Sequence, residues 1–565
     1  MKNIYFFGIM LLTALFSVTG YAKNNEYGVL AYHSVVDETN KAGTNYYYLQ
    51  TISVQHLIQH FNWLKENNYH VVSWQQIIDA EKGSTTLPDK AVLLSFDDGY
   101  ETMYSVIFPL LKAYHYPAVF APVASWINAP KNAQIPYSNT TLPRSTMTTW
   151  EHIKEMYQSG LVEIASHSYN QHYGHPANPA GSQLPTIIAA KYENGKYETK
   201  DQYIQRIEKD FKESAKDIKR AIGKSPQIMV WPYGNFTTAA MIAASKAGMS
   251  YSFSLDDDNL NKVGEHNIGR LLLDQETSFD VIKEYLTTGS KDSLIIRATH
   301  VKLDDIYNPN LQLLNKNIDS IIEKIHRSGT NIVYLQAYSD ENQDNIADAL
   351  YFPNAYLPVK ADLFSRIAWS LFTRAGVKVY AEMPIMAFNL PQANNKLEAI
   401  KSIYNDLSYY AKFSGILFND QTLTSEHPAD IIKLTNMLKK ELETYAMIPD
   451  GPLNSAYNLN IDLKNSNKLE NNLAQLSANY DQILLSINPD AEDISANDVK
   501  TELIKLISYT NHNKNILFDF ASSNNKSKGK FKEQEIISWI KLLEKHGIYS
   551  FSYKTDDFIK GYPSL

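Results

Sequence analysis

The chain has 565 residues, 44% of them hydrophobic, so it can bury more than one core, and two large domains fit this length better than one. Its 53 Lys and Arg residues against 61 Asp and Glu give a net charge of −8 without any basic block, which makes nucleic acid a poor candidate partner. The absence of cysteine excludes disulfides, thiolate metal sites, cysteine nucleophiles and lipidation of an N-terminal cysteine.

The N-terminus has the pattern of a secretory signal. Lys2 precedes the apolar stretch IYFFGIMLLTALFSV, and the small residues Gly20 and Ala22 follow it. We therefore predict that residues 1–22 are a signal peptide cleaved after Ala22, and that the mature protein is periplasmic and not lipidated. A membrane anchor is the alternative, but the apolar run is short for a membrane span.

From Gly28 onward, short apolar runs alternate with amphipathic segments. The predicted strands of the first half are GVLAY, HVVS, AVLLSF, PAVFAPV, LVEIAS, QIMVW and SYSFSL. Helices are predicted from Ser53 to Asn68, at TMYSVIFPLLKAY, and at TTAAMIAASKAG, which closes on Gly248. This alternation predicts a mainly parallel sheet covered by helices, as a barrel or an open α/β fold.

The same rhythm restarts after about Ser290. Its predicted strands are SLIIRATHV, NIVYLQAY, VKVYAEMP, GILFND, QILLSIN, NILFDFA and YSFSYK. The length that remains from this point matches a (β/α)₈ barrel. We therefore predict an α/β protein with two barrel-like domains, at residues 23–290 and 291–565.

Polar side chains collect where the predicted strands of the first half end, which is where active sites lie in barrel-like α/β folds. In chain order they are His33, Asp97, Asp98, His167, the nearby His172 and His175, and the group Trp231, Pro232 and Tyr233. One aspartate with two histidines is a common ligand set for a catalytic divalent metal with positions open to water. Spacing alone does not decide which of His172 and His175 is the second histidine ligand.

Two adjacent aspartates can divide the chemistry of such a site. One binds the metal, and the other accepts a proton from the attacking water, whose pKa the metal lowers from about 16 to roughly 7. A backbone N–H at Tyr233 could stabilise the negative charge on the carbonyl oxygen, and His33 could protonate the leaving amine. The pattern therefore favours hydrolysis of an amide.

The motifs SFDDG, ASHSYNQH and WPYG resemble the polysaccharide deacetylases of carbohydrate esterase family 4. The stretches LAYHSV, LPDKAVLLSFDDGY, PLLKAYHYPAVFAPVASW and LVEIASHSYNQHYG are similar to the PgaB-type poly-β-1,6-N-acetyl-D-glucosamine N-deacetylases, a resemblance that covers nearly the whole mature chain. It implies a deacetylase barrel and one divalent metal ion, either zinc, nickel, cobalt or iron. The implied roles are Asp97 as base, His33 as acid, Asp98, His167 and His172 as metal ligands, and Trp231, Pro232 and Tyr233 as substrate-binding wall.

Two details of this resemblance concern individual residues. The five-residue step from His167 to His172, in place of the usual four, is similar to the PgaB-type subgroup and favours His172 over His175. The stretch MVWPYG lacks the arginine that often precedes the Pro-Tyr pair in the wider esterase family, so the group that orients Asp97 is left open.

The second half resembles the C-terminal domain of the same family in RATHVKLDDIYNPN, VYLQAYSDENQD, YFPNAYLPVKADLFSRIAWSL, VYAEMP and FSGILFNDQTL. In that family the domain binds partly deacetylated polymer, and in some members it cleaves the polymer. Cleavage normally needs two carboxyl groups. Here Asn419, Asp420 and Gln421 stand where the family has His-Asp-Asp, and Lys302 replaces an aspartate.

We predict that this half binds polymer through Asp304 and Asp420, with glycosidase activity left open. Asp340, Glu382 and Asp519 are also at predicted strand ends.

The predicted function is metal-dependent N-deacetylation of poly-β-1,6-N-acetyl-D-glucosamine during export of a biofilm exopolysaccharide. The predicted partners are the polysaccharide and an outer-membrane export porin, with a monomeric chain and no nucleic acid. Two alternatives remain: deacetylation of another polymer, chitin or peptidoglycan, and a polysaccharide-binding export chaperone with little catalysis.

Overall fold

The structure is a computed structural model that describes most of the chain. The described residues are 25–37, 50–137, 140–289, 295–342, 344–420, 427–447, 453–461, 469–487, 496–510, 513, 515–522 and 533–555. The predicted signal peptide, Gln421 and the predicted domain boundary after residue 290 lie outside them. Within these ranges, no helix is both long and apolar enough to span a bilayer.

The first half is built on parallel strands arranged as two arcs. The larger sheet runs in the order Asn261–Lys262, Glu26–Tyr32, Ala91–Asp98, Ala118–Pro122 and Val162–Ile164, with Leu271–Leu272 and His70–Val71 paired at its sides. The smaller sheet contains Ile228–Val230, Tyr251–Phe253 and Asn267–Ile268. A parallel bridge between Ser166 and Met229 joins the two arcs and makes the assembly barrel-like.

Short strands and helices complete this half. The remaining strands are Val35–Val36, Ile52–Ser53, Gln134–Tyr137, Thr140–Pro143, Gly174–Pro176, Gln183–Pro185, Tyr192–Glu193 and Lys196–Tyr197. The α-helices are Val54–Glu66, Trp74–Glu81, Phe108–Tyr114, Ala124–Asn128, Trp150–Gln158, Lys200–Ile222, Thr238–Lys246 and Phe279–Thr288. Ser53 caps the first of them by accepting a hydrogen bond from the His56 amide, so that helix begins where the sequence predicts it.

The second half contains a closed barrel of eight parallel strands. They are, in order around the barrel, Arg297–Lys302, Ile332–Gln336, Lys378–Met383, Gly415–Phe418, Asn454–Asn460, Gln482–Ile487, Ile516–Ser522 and Phe551–Thr555. The pair Tyr338–Ser339 and Ala349–Leu350 forms a small separate sheet. The surrounding helices are Leu303–Ile306, Leu311–Arg327, Phe364–Ser370, Lys396–Tyr410, Pro428–Glu443, Leu469–Ser477, Ala496–Thr510 and Glu533–Lys545. The two-domain α/β prediction is therefore confirmed.

The two halves contact each other around the start of the helix Lys200–Ile222. The Lys200 ammonium lies 2.8 Å from the Asp406 carboxylate, and the Tyr409 hydroxyl donates to the Glu198 carbonyl at 2.6 Å. Tyr203 of the first half and Tyr409 of the second belong to one hydrophobic cluster. These contacts place a helix of the first half directly against the barrel.

Candidate metal centre and catalytic groups

The two adjacent aspartates lie at the end of the strand Ala91–Asp98, which is buried along its whole length. The chain turns sharply there: Asp98 has φ of 73°, and the following Gly99 has φ of 110°. A side chain at Gly99 would contact the Pro122 backbone at 3.4 Å. The strand end therefore presents two carboxylates from successive residues because a left-handed turn follows at once.

Asp98 faces two histidine side chains. Its Oδ1 atom lies 3.4 Å from Nε2 of His167 and 3.3 Å from Nε2 of His172, and the three ligand-type atoms are within 4.8 Å of one another. Its Oδ2 atom accepts a hydrogen bond from the Tyr137 hydroxyl at 3.1 Å. Burial alone would raise the pKa of Asp98, but the imidazoles of His172, His167 and His33 outweigh it and hold that pKa well below its usual range.

This arrangement fits a divalent metal ion. Bonds of about 2.0 Å in a tetrahedral site separate neighbouring ligand atoms by about 3.3 Å, close to the spacing of Asp98 from each histidine. Asp98 Oδ1 is buried and has no hydrogen-bond partner among the described residues. His167 Nδ1 lies 2.8 Å from the Val230 carbonyl, which assigns the ring proton to Nδ1 and leaves Nε2 as a ligand atom.

His175 is not part of this cluster. It lies in the strand Gly174–Pro176, where its Nε2 is 3.1 Å from the Ala189 carbonyl. Burial lowers the pKa of this histidine to about 4, with the nearby Arg206 adding to the effect. The structure therefore brings His172 to the site and leaves His175 in a structural contact.

Asp97 is held by an arginine that the sequence reasoning missed. One nitrogen of the buried Arg270 guanidinium lies 2.9 Å from both carboxylate oxygens of Asp97, and the same nitrogen donates to Ser95 at 2.8 Å. Arg270 Nε is fixed in turn by the Ser254 carbonyl. The signal that could have identified it is an arginine inside the apolar strand-end sequence NIGRLLL, since a buried arginine requires an acidic partner.

His33 is a second basic residue near Asp97. It follows directly after the strand Glu26–Tyr32, and its Nε2 lies 4.0 Å from Asp97 Oδ2. Burial lowers the pKa of His33, against the opposing effect of Asp98 and Asp97. The predicted acid and base thus lie on one edge of the metal cluster, as the parallel strands require.

Of the three residues predicted as substrate-binding wall, only Tyr233 is exposed. Trp231 has 0% of its surface exposed and stacks on Phe236 with ring centroids 5.0 Å apart, and Pro232 is also buried. Tyr233 is 40% exposed, adopts φ of 61°, and its ring lies 4.6 Å from that of His172. Tyr233 is therefore the member of this motif that a bound sugar can touch.

In the barrel, Asp304 is a heavily bonded carboxylate. Its Oδ1 accepts hydrogen bonds from Lys360 at 2.6 Å, Ser339 at 2.7 Å and Tyr351 at 2.6 Å. Burial alone would raise the pKa of Asp304, but these donors outweigh it and the pKa lies below its ordinary value. Such a carboxyl group is unsuited to be a general acid, which needs a raised pKa.

Asp420 also serves the local backbone. Its Oδ2 accepts hydrogen bonds from the amides of Met386 at 2.6 Å and Ala387 at 3.1 Å. The residue is 4% exposed, so a polymer in the barrel could reach little of it without rearrangement. Its predicted contact with substrate stays a prediction.

A polar network joins three strands of the barrel, and in it His300 and Asp519 lie in mid-strand, not at strand ends. His300 lies between two buried carboxylates, 2.8 Å from Glu382 and 3.3 Å from Asp519. Asn419, which stands where the family pattern has histidine, donates to Glu382, and Asn458 donates to Asn419 at 3.0 Å. Glu382 and Asp519 are therefore partners of His300, a contact that strand-end positions did not reveal.

Two family models match the chain, one in each half. A model described as polysaccharide deacetylase matches residues 84–252, and one described as hypothetical glycosyl hydrolase family 13 matches residues 300–399. The poly-beta-1,6-N-acetyl-D-glucosamine N-deacetylase of Escherichia coli (strain K12) is 30% identical over 96% of this chain and 91% of its own length. The enzyme of the same name from Staphylococcus epidermidis is 24% identical over 42% of this chain and 72% of its own.

Two solved structures are each similar to somewhat less than half of the chain. A de-N-acetylase from Aggregatibacter actinomycetemcomitans is 59% identical, covers 46% of this chain and 99% of its own, and has a TM-score of 0.44. The glycoside hydrolase domain of PgaB (BpsB) from Bordetella bronchiseptica is 23% identical, covers 48% of this chain and 96% of its own, and has a TM-score of 0.42.

Proposed function

The chain belongs to the poly-β-1,6-N-acetyl-D-glucosamine N-deacetylase family, and on that basis we propose that it hydrolyses N-acetyl groups of this polymer with one divalent metal ion. The observation that carries the proposal is the convergence of Asp98, His167 and His172 beside an Asp97 carboxylate held by Arg270. Deacetylation of exported polysaccharide accounts for a site of this kind in a chain with a signal-like N-terminus.

Asp98, His167 and His172 would hold the metal, a zinc, nickel, cobalt or iron ion, because nitrogen and oxygen ligands suit each of these. A divalent ion held there would lower the pKa of water and polarise the amide carbonyl. The protein orients the ligand side chains: the Val230 carbonyl fixes the ring of His167, and the Tyr137 hydroxyl fixes the carboxylate of Asp98.

The proton transfers fall to two neighbouring residues, Asp97 and His33. Asp97 accepts the proton from the attacking water, and Arg270 keeps both of its oxygens in a fixed orientation. His33 donates a proton to the nitrogen of the leaving amine. The backbone N–H of Tyr233 would stabilise the developing charge on the carbonyl oxygen, and its exposed ring would pack against the sugar.

Metal removal tests this proposal. Protein stripped with a chelator should lose acetate release from β-1,6-linked N-acetylglucosamine oligomers, and addition of zinc or cobalt should restore it. An Asp98→Ala variant should not be restored by the same addition. Full activity of the stripped protein would contradict the proposed chemistry.

We further infer that the barrel binds the product of the first half. Deacetylation converts neutral acetamido groups into amines that are largely protonated near neutral pH, and the barrel carries buried carboxylates at its strand ends. Asp304 and Asp420 are the proposed contacts, although each already has hydrogen-bond partners in the protein.

Binding without efficient cleavage is the expected behaviour of the barrel. The Asp304 carboxyl group has a lowered pKa, and Asn419 replaces a family histidine. We therefore expect acid/base catalysis of glycosidic cleavage to be reduced more than polymer binding is. The full chain carrying Asp97→Asn, incubated with partly deacetylated oligomers, should bind them more weakly as salt rises and give no shorter products by mass spectrometry. Efficient cleavage, lost on Asp420→Asn, would contradict this expectation.

The place of action proposed here is the periplasm. Cleavage after Ala22 would give a mature, non-lipidated monomer that begins at Lys23 and meets an outer-membrane export porin together with the polysaccharide. The intact mass of the protein from a periplasmic extract tests cleavage, and Met1 on the mature chain would contradict it. Co-purification with the porin tests the proposed partner. The molar mass in solution tests the proposed monomeric state.

A further inference from the structure

The two histidines of the metal cluster are not supported in the same way. His167 Nδ1 lies within hydrogen-bond distance of the Val230 carbonyl, which is the usual outer support of a ligating histidine. His172 Nδ1 is buried and has no hydrogen-bond partner in any other described residue. Its ring packs among Trp126, Tyr137 and Tyr233, so its direction depends on packing and on the backbone that carries it.

That backbone is an irregular segment of five steps from His167 to His172. Ser168 has φ of 71°, and no strand or helix pairs the amides that follow it. The amide of Tyr169 donates to Asp210 Oδ1 at 2.8 Å, and the amide of Asn170 donates to Asp210 Oδ2 at 2.8 Å. Asp210 is a buried residue of the helix Lys200–Ile222 and thus replaces the missing backbone partners.

The residue directly before His172 is held at both ends of its side-chain amide. Gln171 Nε2 donates to Asp210 Oδ2 at 3.0 Å, and Gln171 Oε1 accepts from Arg206 at 2.9 Å. Arg206 lies one turn before Asp210 on the same helix and is paired with Glu198 through two nitrogens, at 2.8 and 2.9 Å. Asp210 and Arg206 of this helix therefore both hold the segment that connects the two histidine ligands.

We propose that Asp210, with Arg206 behind it, is a positioning residue for the metal ligand His172. The inference rests on the proposed metal site. It adds that Asp210 holds the five-residue segment from His167 to His172 in the conformation that lets both histidines reach the metal. Without Asp210 the segment samples other arrangements, and the apparent metal affinity falls in proportion to the fraction of molecules in which His172 faces Asp98. Loss of such outer support typically costs about 10–100-fold in metal affinity.

Asp210→Asn is the direct test, measured as zinc binding to the metal-free full chain by isothermal titration calorimetry. Asparagine keeps the size but offers one acceptor oxygen, so it cannot accept from the Tyr169 and Asn170 amides on separate oxygens. We expect zinc affinity to fall about 10–100-fold, and the visible absorption of the cobalt-substituted protein to change because the ligand geometry changes. Gln171→Ala, a milder change, should shift both readouts in the same direction.

Asp217→Asn is the matched control. Asp217 is a buried carboxylate on the same helix, but its partners are Asn128 and Arg220, outside the metal segment. This control should retain zinc affinity and the cobalt spectrum even if its thermal stability falls. Unchanged zinc affinity in both Asp210→Asn and Gln171→Ala, or an equal loss in Asp217→Asn, would overturn the inference, whereas no zinc binding by the unsubstituted chain would overturn the metal site itself.

Discussion

Asp97→Asn should reduce acetate release by about 10²–10⁴-fold, the usual contribution of a general base, while the protein keeps its metal. The substitution removes the proton acceptor but leaves the ligands Asp98, His167 and His172 unchanged. Turnover of a β-1,6-linked oligomer and metal content by atomic absorption are the two measurements.

This substitution also weakens a buried ion pair, because Arg270 loses its charged partner. Thermal unfolding of the variant must therefore be recorded beside its activity. Ser95→Ala provides the comparison, since it removes a contact of Arg270 and a 3.3 Å hydrogen bond to Asp97 but leaves the charged carboxylate in place. Near-normal turnover of Asp97→Asn with the fold intact would contradict the assignment of the base.

His172→Ala should abolish metal retention and acetate release together, whereas His175→Ala should retain the metal. His172 supplies one of the three ligand atoms, so its loss should cost more than the roughly 10–100-fold that removal of an outer hydrogen bond costs. His175 contacts the Ala189 carbonyl instead. Metal content and acetate release, measured on both variants, separate the two histidines; the reverse pattern would show that the second ligand is misassigned.

The strands that carry the site were predictable because their sequences are continuous apolar runs. AVLLSF lies within the strand Ala91–Asp98, and the histidine after GVLAY follows the strand Glu26–Tyr32, as expected for parallel strands whose carboxyl ends share one edge. The strand Asn454–Asn460 was missed, since NSAYNLN alternates small and polar residues and gives no apolar run. Asn458 is nevertheless buried, and its amide nitrogen donates to Asn419.

Long-range pairs could not be predicted from local patterns. Arg270 meets Asp97 across 173 positions, and Lys360 meets Asp304 across 56, so neither pair has a spacing that a motif would show. The motif WPYG likewise marks a strand end but does not say which side chain faces outward, and Trp231 is fully buried. Contacts of this kind are set by how the strands close, which a single sequence does not specify.

Linkage-resolved acetate release tests the central claim most directly. Metal-loaded protein is incubated in parallel with β-1,6-linked and β-1,4-linked N-acetylglucosamine oligomers of equal length, and acetate is quantified over time. The proposed function predicts rapid release from the β-1,6-linked oligomer, little from the β-1,4-linked one, and release slowed by about 10²–10⁴-fold with the Asp97→Asn protein. Faster release from the β-1,4-linked oligomer, or near-normal release by Asp97→Asn, would contradict it.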